Sequence, residues 1–158
     1  MNEEKKMFLS KAFIPLLQKI PAGTQARWGK MNFQQMIEHF SHALKIATGA
    51  VQQPRILAGE KQQKAYEFMM SEKPFRENTV NPNLPETPLP PAHHTVQASI
   101  NELQETLLDF FKTYEGQPGK RVMNPFFGEL NYAEQVHLLH KHALHHLKQF
   151  GVEPVVKE

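Results

Sequence analysis

"NYAEQVHLLHKHALHHLKQFG", Asn131 to Gly151, is the stretch whose reading decides the fold. Asn131 followed three residues later by Glu134 is a capping box. The asparagine side chain accepts from a free backbone N–H at the helix start, and the glutamate returns the bond. Gly151 suits the left-handed position just past a helix end. No proline or glycine interrupts the residues between them, so the pattern predicts a helix running to Phe150. Histidine fills five of the ten positions from His137 to His146, which raises the question of which rings point inward.

A helix turns about 100° per residue. With His142 at zero, His146 lies at about 40°, Gln149 at about −20°, Gln135 at about 20°, Leu138 at about −40°, Leu139 at about 60° and Phe150 at about 80°. These residues share one face, apolar with polar groups along its centre. His145 falls at the edge of that face, at about −60°, and His137 and His140 lie about 140–160° away, beside Lys141, Leu144 and Lys148. The inward rings are therefore expected to be His142 and His146. His137 and His140 are expected on the solvent side, with His140 able to pack against a connector. Side chains four residues apart stack on one face and can converge on one ion. Two imidazoles rarely complete a site, so a third ligand should come from another helix. An HxxxH pair also arises in helices that bind no metal, and the residues alone leave both readings open.

Working outward, the preceding elements read as further helices. Glu3 to Lys19 is predicted as the first, kinked or split at Pro15, which removes a backbone donor. Pro21 to Lys30 is a connector rich in breakers and holds Trp28, expected as a packing anchor. Asn32 with Gln35 resembles a second capping box. Phe33, Met36, Ile37, Phe40, Leu44 and Ala47 then repeat at helical spacing until Gly49. On that helix His39 lies about 80° from the apolar centre and His42 about 140° away, which makes His39 the better inward candidate. Pro54 to Met70 reads as a helix interrupted at Gly59. Lys73 to His94 contains six of the twelve prolines, so it is expected to be an irregular lid or a loop wrapping the body, with His93 and His94 exposed or capping the next helix. That helix is predicted over Val96 to Tyr114, with Thr95 as cap. Met123 to Leu130 reads as a compact apolar turn, and strand signals are almost absent. The pattern implies an all-α fold, a helical bundle with long connectors, in a single domain spanning 1–158.

Bulk composition narrows the function. A formal net charge of +2 is too small to argue for nucleic acid or an anionic membrane. There is no cysteine, so any metal must be held by histidine, aspartate or glutamate. No stretch reaches the roughly 20 apolar residues of a spanning helix, and the N-terminus makes a poor signal peptide. A cytoplasmic protein without nucleic-acid or membrane partners is expected. P-loop, GxGxxG, GxSxG and HExxH motifs are all absent.

Two segments carry a resemblance. "HALHHLKQFG" (His142 to Gly151) resembles the terminal-helix HxxHHxxQ signature of the DinB/YfiT-like metalloenzyme superfamily. "RWGKMNFQQMIEHFSHAL" (Arg27 to Leu44) resembles that superfamily's second-helix motif, in which a histidine follows a tryptophan-containing turn. "NPFFGELNYAEQVHLLHKHALHHLKQFG" is similar to a branch known mainly as a domain of unknown function. The resemblance spans most of the chain and is poor over about Pro54 to His94. It implies an up-and-down four-helix bundle with a divalent metal held by three histidines near one end; by position these are His39, His142 and His146. Members typically carry an Arg-Gly pair before the final glutamine. Here Leu147 and Lys148 precede Gln149, so no role of that arginine carries over.

Three imidazoles leave an ion its full charge and an open position, as in catalytic zinc sites. Nitrogen ligands suit zinc or nickel better than magnesium or calcium. His145, Gln149 and Glu38 are candidates for orienting the rings, Glu38 the weakest because it adjoins His39 in sequence rather than on its face. The resemblance implies metal-dependent hydrolysis or thiol transfer on a small-molecule substrate, with a low-molecular-weight thiol at the metal. No catalytic acid or base is recognisable. Two alternatives stand beside this: a non-catalytic metal-binding or stress-associated bundle, and a bundle without metal. An apolar bundle face is also compatible with a homodimer.

Overall fold

The computed structural model describes residues 2–79 and 81–153. The single-domain reading of 1–158 also covers residues outside those described. The first helical stretch comprises α1 (Asn2–Met7), a five-residue π segment (Phe8–Ala12) and α2 (Phe13–Gln18). The sequence predicts the disturbance at Pro15; the structure puts it a turn upstream. A proline has no N–H, and its ring crowds the carbonyl four residues back, here that of Lys11. The chain responds by widening one turn, so that the Phe13 N–H donates to the Phe8 carbonyl five residues earlier.

Local capping sets the other helix ends. Helix α3 (Phe33–Thr48) starts with both bonds of the Asn32/Gln35 capping box in place and ends at Gly49, whose φ of 85° is left-handed. Helix α4 (Gly59–Met70) begins at the glycine read as an interruption, because the chain before it is drawn away: the Ile56 and Leu57 N–H groups both donate to the Pro125 carbonyl. Helix α5 (Val96–Gly116) is capped by the Thr95 hydroxyl, which accepts from the Ala98 N–H. The predicted apolar turn is a small antiparallel hairpin of β1 (Val122–Asn124) and β2 (Gly128–Leu130), with Val122 opposite Leu130. The Asn124 side chain accepts from the Phe126 and Phe127 N–H groups to close it. Helix α6 (Tyr132–Gln149) opens with both capping-box bonds of Asn131 and Glu134. It ends in a Schellman arrangement, the Val152 N–H donating to the Leu147 carbonyl and the Gly151 N–H to that of Lys148.

The fold is mostly helical. Helices α3 and α5 pack along each other, and Leu9, Phe13, Phe40, Leu103, Phe110 and Leu147 are all fully buried between the helices. The Tyr114 hydroxyl donates to the Ala47 carbonyl at 2.7 Å, tying α5 to the end of α3. A smaller apolar cluster of Met69, Leu130 and Leu138, joined by Phe75 and Phe127, sits under the hairpin. None of the described helices is long and apolar enough to cross a membrane.

Helix α6 departs from the expected single buried face. His137 and Lys141, expected on the solvent side, are 6% and 7% exposed. The physical cause lies at the end of α4 and in the irregular segment just after it, whose backbone carbonyls have no continuing helix to supply their donors. The Lys141 ammonium donates to the Phe68 and Ser71 carbonyls at 3.2 and 2.8 Å, and to that of Lys73. His137 Nε2 lies 2.8 Å from the Met69 carbonyl, and its Nδ1 lies 2.8 Å from the Lys5 ammonium, which also pairs with Glu72. A cation at a helix C-terminus is favourable in itself. His140 packs edge-on against Phe8, with ring centres 5.2 Å apart. Helix α6 thus has α1 and the π segment on one side, α4 on another and α3 on a third.

Among the described residues between α4 and α5 the chain has neither helix nor strand. It is fastened to both helices that carry the inward histidines. Glu77 faces Lys148 of α6 at 3.7 Å. Further on, the Leu89 carbonyl accepts from the Gln35 side chain of α3 at 2.8 Å.

Candidate metal centre

His39 lies midway along α3, and His142 and His146 lie one turn apart near the end of α6. Their Nε2 atoms converge. His142 Nε2 is 3.2 Å from His39 Nε2 and 2.8 Å from His146 Nε2. Ligand atoms of all three lie within 4.8 Å of one another, and among the described residues they form the only such cluster of three or more histidine, aspartate or glutamate side chains. His146 is buried, whereas His39 and His142 are partly exposed. Phe40 backs the site, its ring stacked on that of His142 at 4.9 Å.

Burial holds these rings neutral. The pKa of His39 is pushed down to about 4, chiefly by desolvation and further by His42 and His145. Those of His142 and His146 lie well below the usual imidazole range, first because of burial and then because neighbouring histidines oppose a charge. Neutral imidazole, with a free lone pair, is the form that binds metal.

The residues expected to orient the rings take different places. Gln149 does touch a ring: its Oε1 is 2.7 Å from His146 Nδ1, and its amide nitrogen donates to the Trp28 carbonyl at 2.9 Å. His145 offers no nitrogen to the cluster. Its ring lies between Trp28 and Phe75, at 5.4 and 6.1 Å, and edge-on to His146. Glu38 faces elsewhere, because one residue along a helix is a rotation of about 100°. Its carboxylate accepts from the Ala92 and His93 N–H groups at 2.8 and 3.2 Å and from the Ser99 hydroxyl at 2.8 Å, which anchors the end of the proline-rich segment. His93 adds its ring to this anchor, 3.3 Å from Glu102. His42 sits beside Gln53, at 3.1 Å, away from the cluster.

Two contributors have no strong signature in the sequence. One is the Trp28–Gly29 turn, in which the sequence marks the Trp28 ring as a packing anchor and part of the second-helix motif but not the backbone carbonyl that holds Gln149. The other is Lys141, which secures the start of the proline-rich segment and whose lone hint is its place in the midst of the histidine run. Compared with family models, curated proteins and solved structures, the chain matches none.

The desolvated rings make acid lability predictable. His39 and His140 both have folded-state pKa values pushed down to about 4 from an ordinary 6.5, burial being the main cause in each. Between those values the unfolded chain holds more protons than the folded one, so stability falls as pH falls through that window and levels off below it. Urea midpoints of metal-free protein should decline steadily from pH 7 to 4.5. A flat profile would mean that these rings take up protons in the native state.

Proposed function

We propose that this chain is a DinB/YfiT-like four-helix bundle in which His39, His142 and His146 hold a divalent ion, zinc or nickel, and that it acts on a small molecule as a metal-dependent hydrolase or thiol transferase. One observation carries the reading: three uncharged imidazoles aim their Nε2 atoms at one point. His142 Nε2 is the shared neighbour of the other two, yet a single ring nitrogen supplies at most one N–H or one lone pair. Hydrogen bonding therefore satisfies only one of the two contacts, whereas an ion uses all three lone pairs. The spacing also fits. Zinc–nitrogen bonds of about 2.0–2.1 Å at tetrahedral angles place ligand nitrogens about 3.3 Å apart, near the observed 2.8 and 3.2 Å.

When bound, a divalent ion with three neutral ligands supplies Lewis acidity to water or to a small thiol. The chain's own residues do the rest. Phe40 keeps water from the back of His142, and the Gln149 side chain fixes the His146 ring. Phe75 and Trp28 hold His145 beside the site as an aromatic wall. One observation favours the second reading, a non-catalytic metal-binding bundle: the carboxylate adjoining the site in sequence, Glu38, is spent on the backbone of the proline-rich segment.

Elemental analysis of tag-free protein, as purified and after dialysis against zinc or nickel, tests the site. The expected result is stoichiometric metal; a protein that takes up neither ion sinks the proposal. A screen of the loaded protein with esters, amides and thiol acceptors separates the two readings. Turnover that disappears in His39→Ala supports the enzyme, and no turnover on any substrate class favours the binder.

A further inference from the structure

The direction of the hydrogen-bond chain behind His146 is determined at its far end by a backbone group. A backbone carbonyl can only accept. The Gln149 side-chain atom 2.9 Å from the Trp28 carbonyl must therefore be its amide nitrogen, which leaves Oε1 facing His146 Nδ1 at 2.7 Å. An amide oxygen also can only accept, so His146 Nδ1 must carry the proton, and its Nε2 is left with a lone pair aimed at His142. The Trp28 carbonyl thus dictates which nitrogen of a ring two bonds away is free.

The turn is held for this purpose at short range. The Arg27 N–H donates to the Gln149 carbonyl at 2.8 Å, so two hydrogen bonds of opposite sense clamp the turn onto the last residue of α6. Gln149 is 3% exposed, which shuts water out of the competition for these groups. Gly29 sits at φ 82°, a conformation that side-chain-bearing residues rarely adopt, and a Cβ there would lie 2.9 Å from the Gln149 amide nitrogen. Only glycine leaves that amide where the Trp28 carbonyl can hold it.

We propose that Gly29 and the Trp28 carbonyl are positioning elements of the histidine cluster, which act through Gln149 to lock His146 in the tautomer that presents Nε2 as a ligand. The tautomer lock stands on hydrogen bonding alone; its effect on metal affinity rests on the metal reading above. The two are separated by two measurements on the full chain. Nitrogen NMR of histidine-labelled, metal-free protein reads the tautomer of His146. Competition with a chromophoric chelator reads zinc affinity.

Wild type should show a protonated Nδ1 and a bare Nε2 at His146. Gln149→Met and Gly29→Ala should both give mixed tautomers and weaken zinc binding by roughly 10- to 100-fold, the usual cost of losing a partner behind a ligand. Gln149→Glu keeps the acceptor and should keep the Nδ1-protonated form. Gly23→Ala, whose Cβ would meet nothing within 4 Å, should change neither readout. A wild-type ring protonated on Nε2, or a wild-type tautomer retained in Gln149→Met, would overturn the proposal. The expected tautomers in a protein that binds neither zinc nor nickel would uphold the lock and overturn the metal reading instead.

Discussion

His142→Ala is expected to abolish stoichiometric zinc or nickel binding, a loss larger than the roughly 10- to 100-fold that follows removal of a partner behind a ligand. His142 is the ring that both others approach, with Nε2 distances of 3.2 and 2.8 Å. Without it, His39 on α3 and His146 on α6 are left as two ligands from different helices. His39→Ala leaves the HxxxH pair intact and should retain weak binding, so the order of affinities is wild type, then His39→Ala, then His142→Ala. Circular dichroism on each variant reports whether the helices persist. Equal and unchanged metal uptake in both variants, with the helices intact, would remove the cluster from consideration.

The second large effect is on stability. Phe40→Ala should cost about 3–5 kcal/mol, the range for emptying a large aromatic site in a core. Phe40 is fully buried and touches two systems at once: the Phe13 ring at 4.8 Å and the His142 ring at 4.9 Å. In a chain of this size such a loss lowers the melting temperature by about 10 °C. Urea or thermal unfolding of metal-free protein reads it directly. Leu108→Ala, on a residue 56% exposed, should stay within about 0.5 kcal/mol of wild type. A Phe40→Ala variant as stable as Leu108→Ala would mean that α3 does not hold its core face as described. Metal affinity should also fall in Phe40→Ala, since the ring behind His142 is gone.

The features legible in the sequence are those decided by neighbours a few residues apart. The capping boxes at Asn32/Gln35 and Asn131/Glu134, the Thr95 cap and the left-handed Gly49 and Gly151 are all where local chemistry places them. Helical rotation turns His39, His142 and His146 inward, the resemblance groups them as one set, and the structure brings their ligand atoms within 4.8 Å of one another. Rotation failed for His137 and Lys141, because a helical wheel assumes one buried face and α6 has neighbours on several. What buries those two is the need for donors of the carbonyls at the end of α4 and just beyond it, a demand made some 70 positions away in the chain. The hairpin escaped because strands as short as Val122–Asn124 and Gly128–Leu130 give no alternation to read. Glu38, the weakest candidate because it only adjoins His39 in sequence, turns in the different direction that adjacency on a helix means and meets Ala92, His93 and Ser99.

The π segment sets the phase of the N-terminus. One additional residue per turn sets everything upstream back by about 100°. On an unbroken α-helix that continued the Leu9, Phe13 and Leu17 face, Lys5 would be carried away from His137 and Glu72, and Asn2 from the Ala133 carbonyl that it reaches at 3.1 Å. Pro15 therefore acts at a distance as a keyway: by forcing one wide turn it lets a single helical rod present its apolar side to the core and, a turn earlier, its polar side to the buried histidine helix.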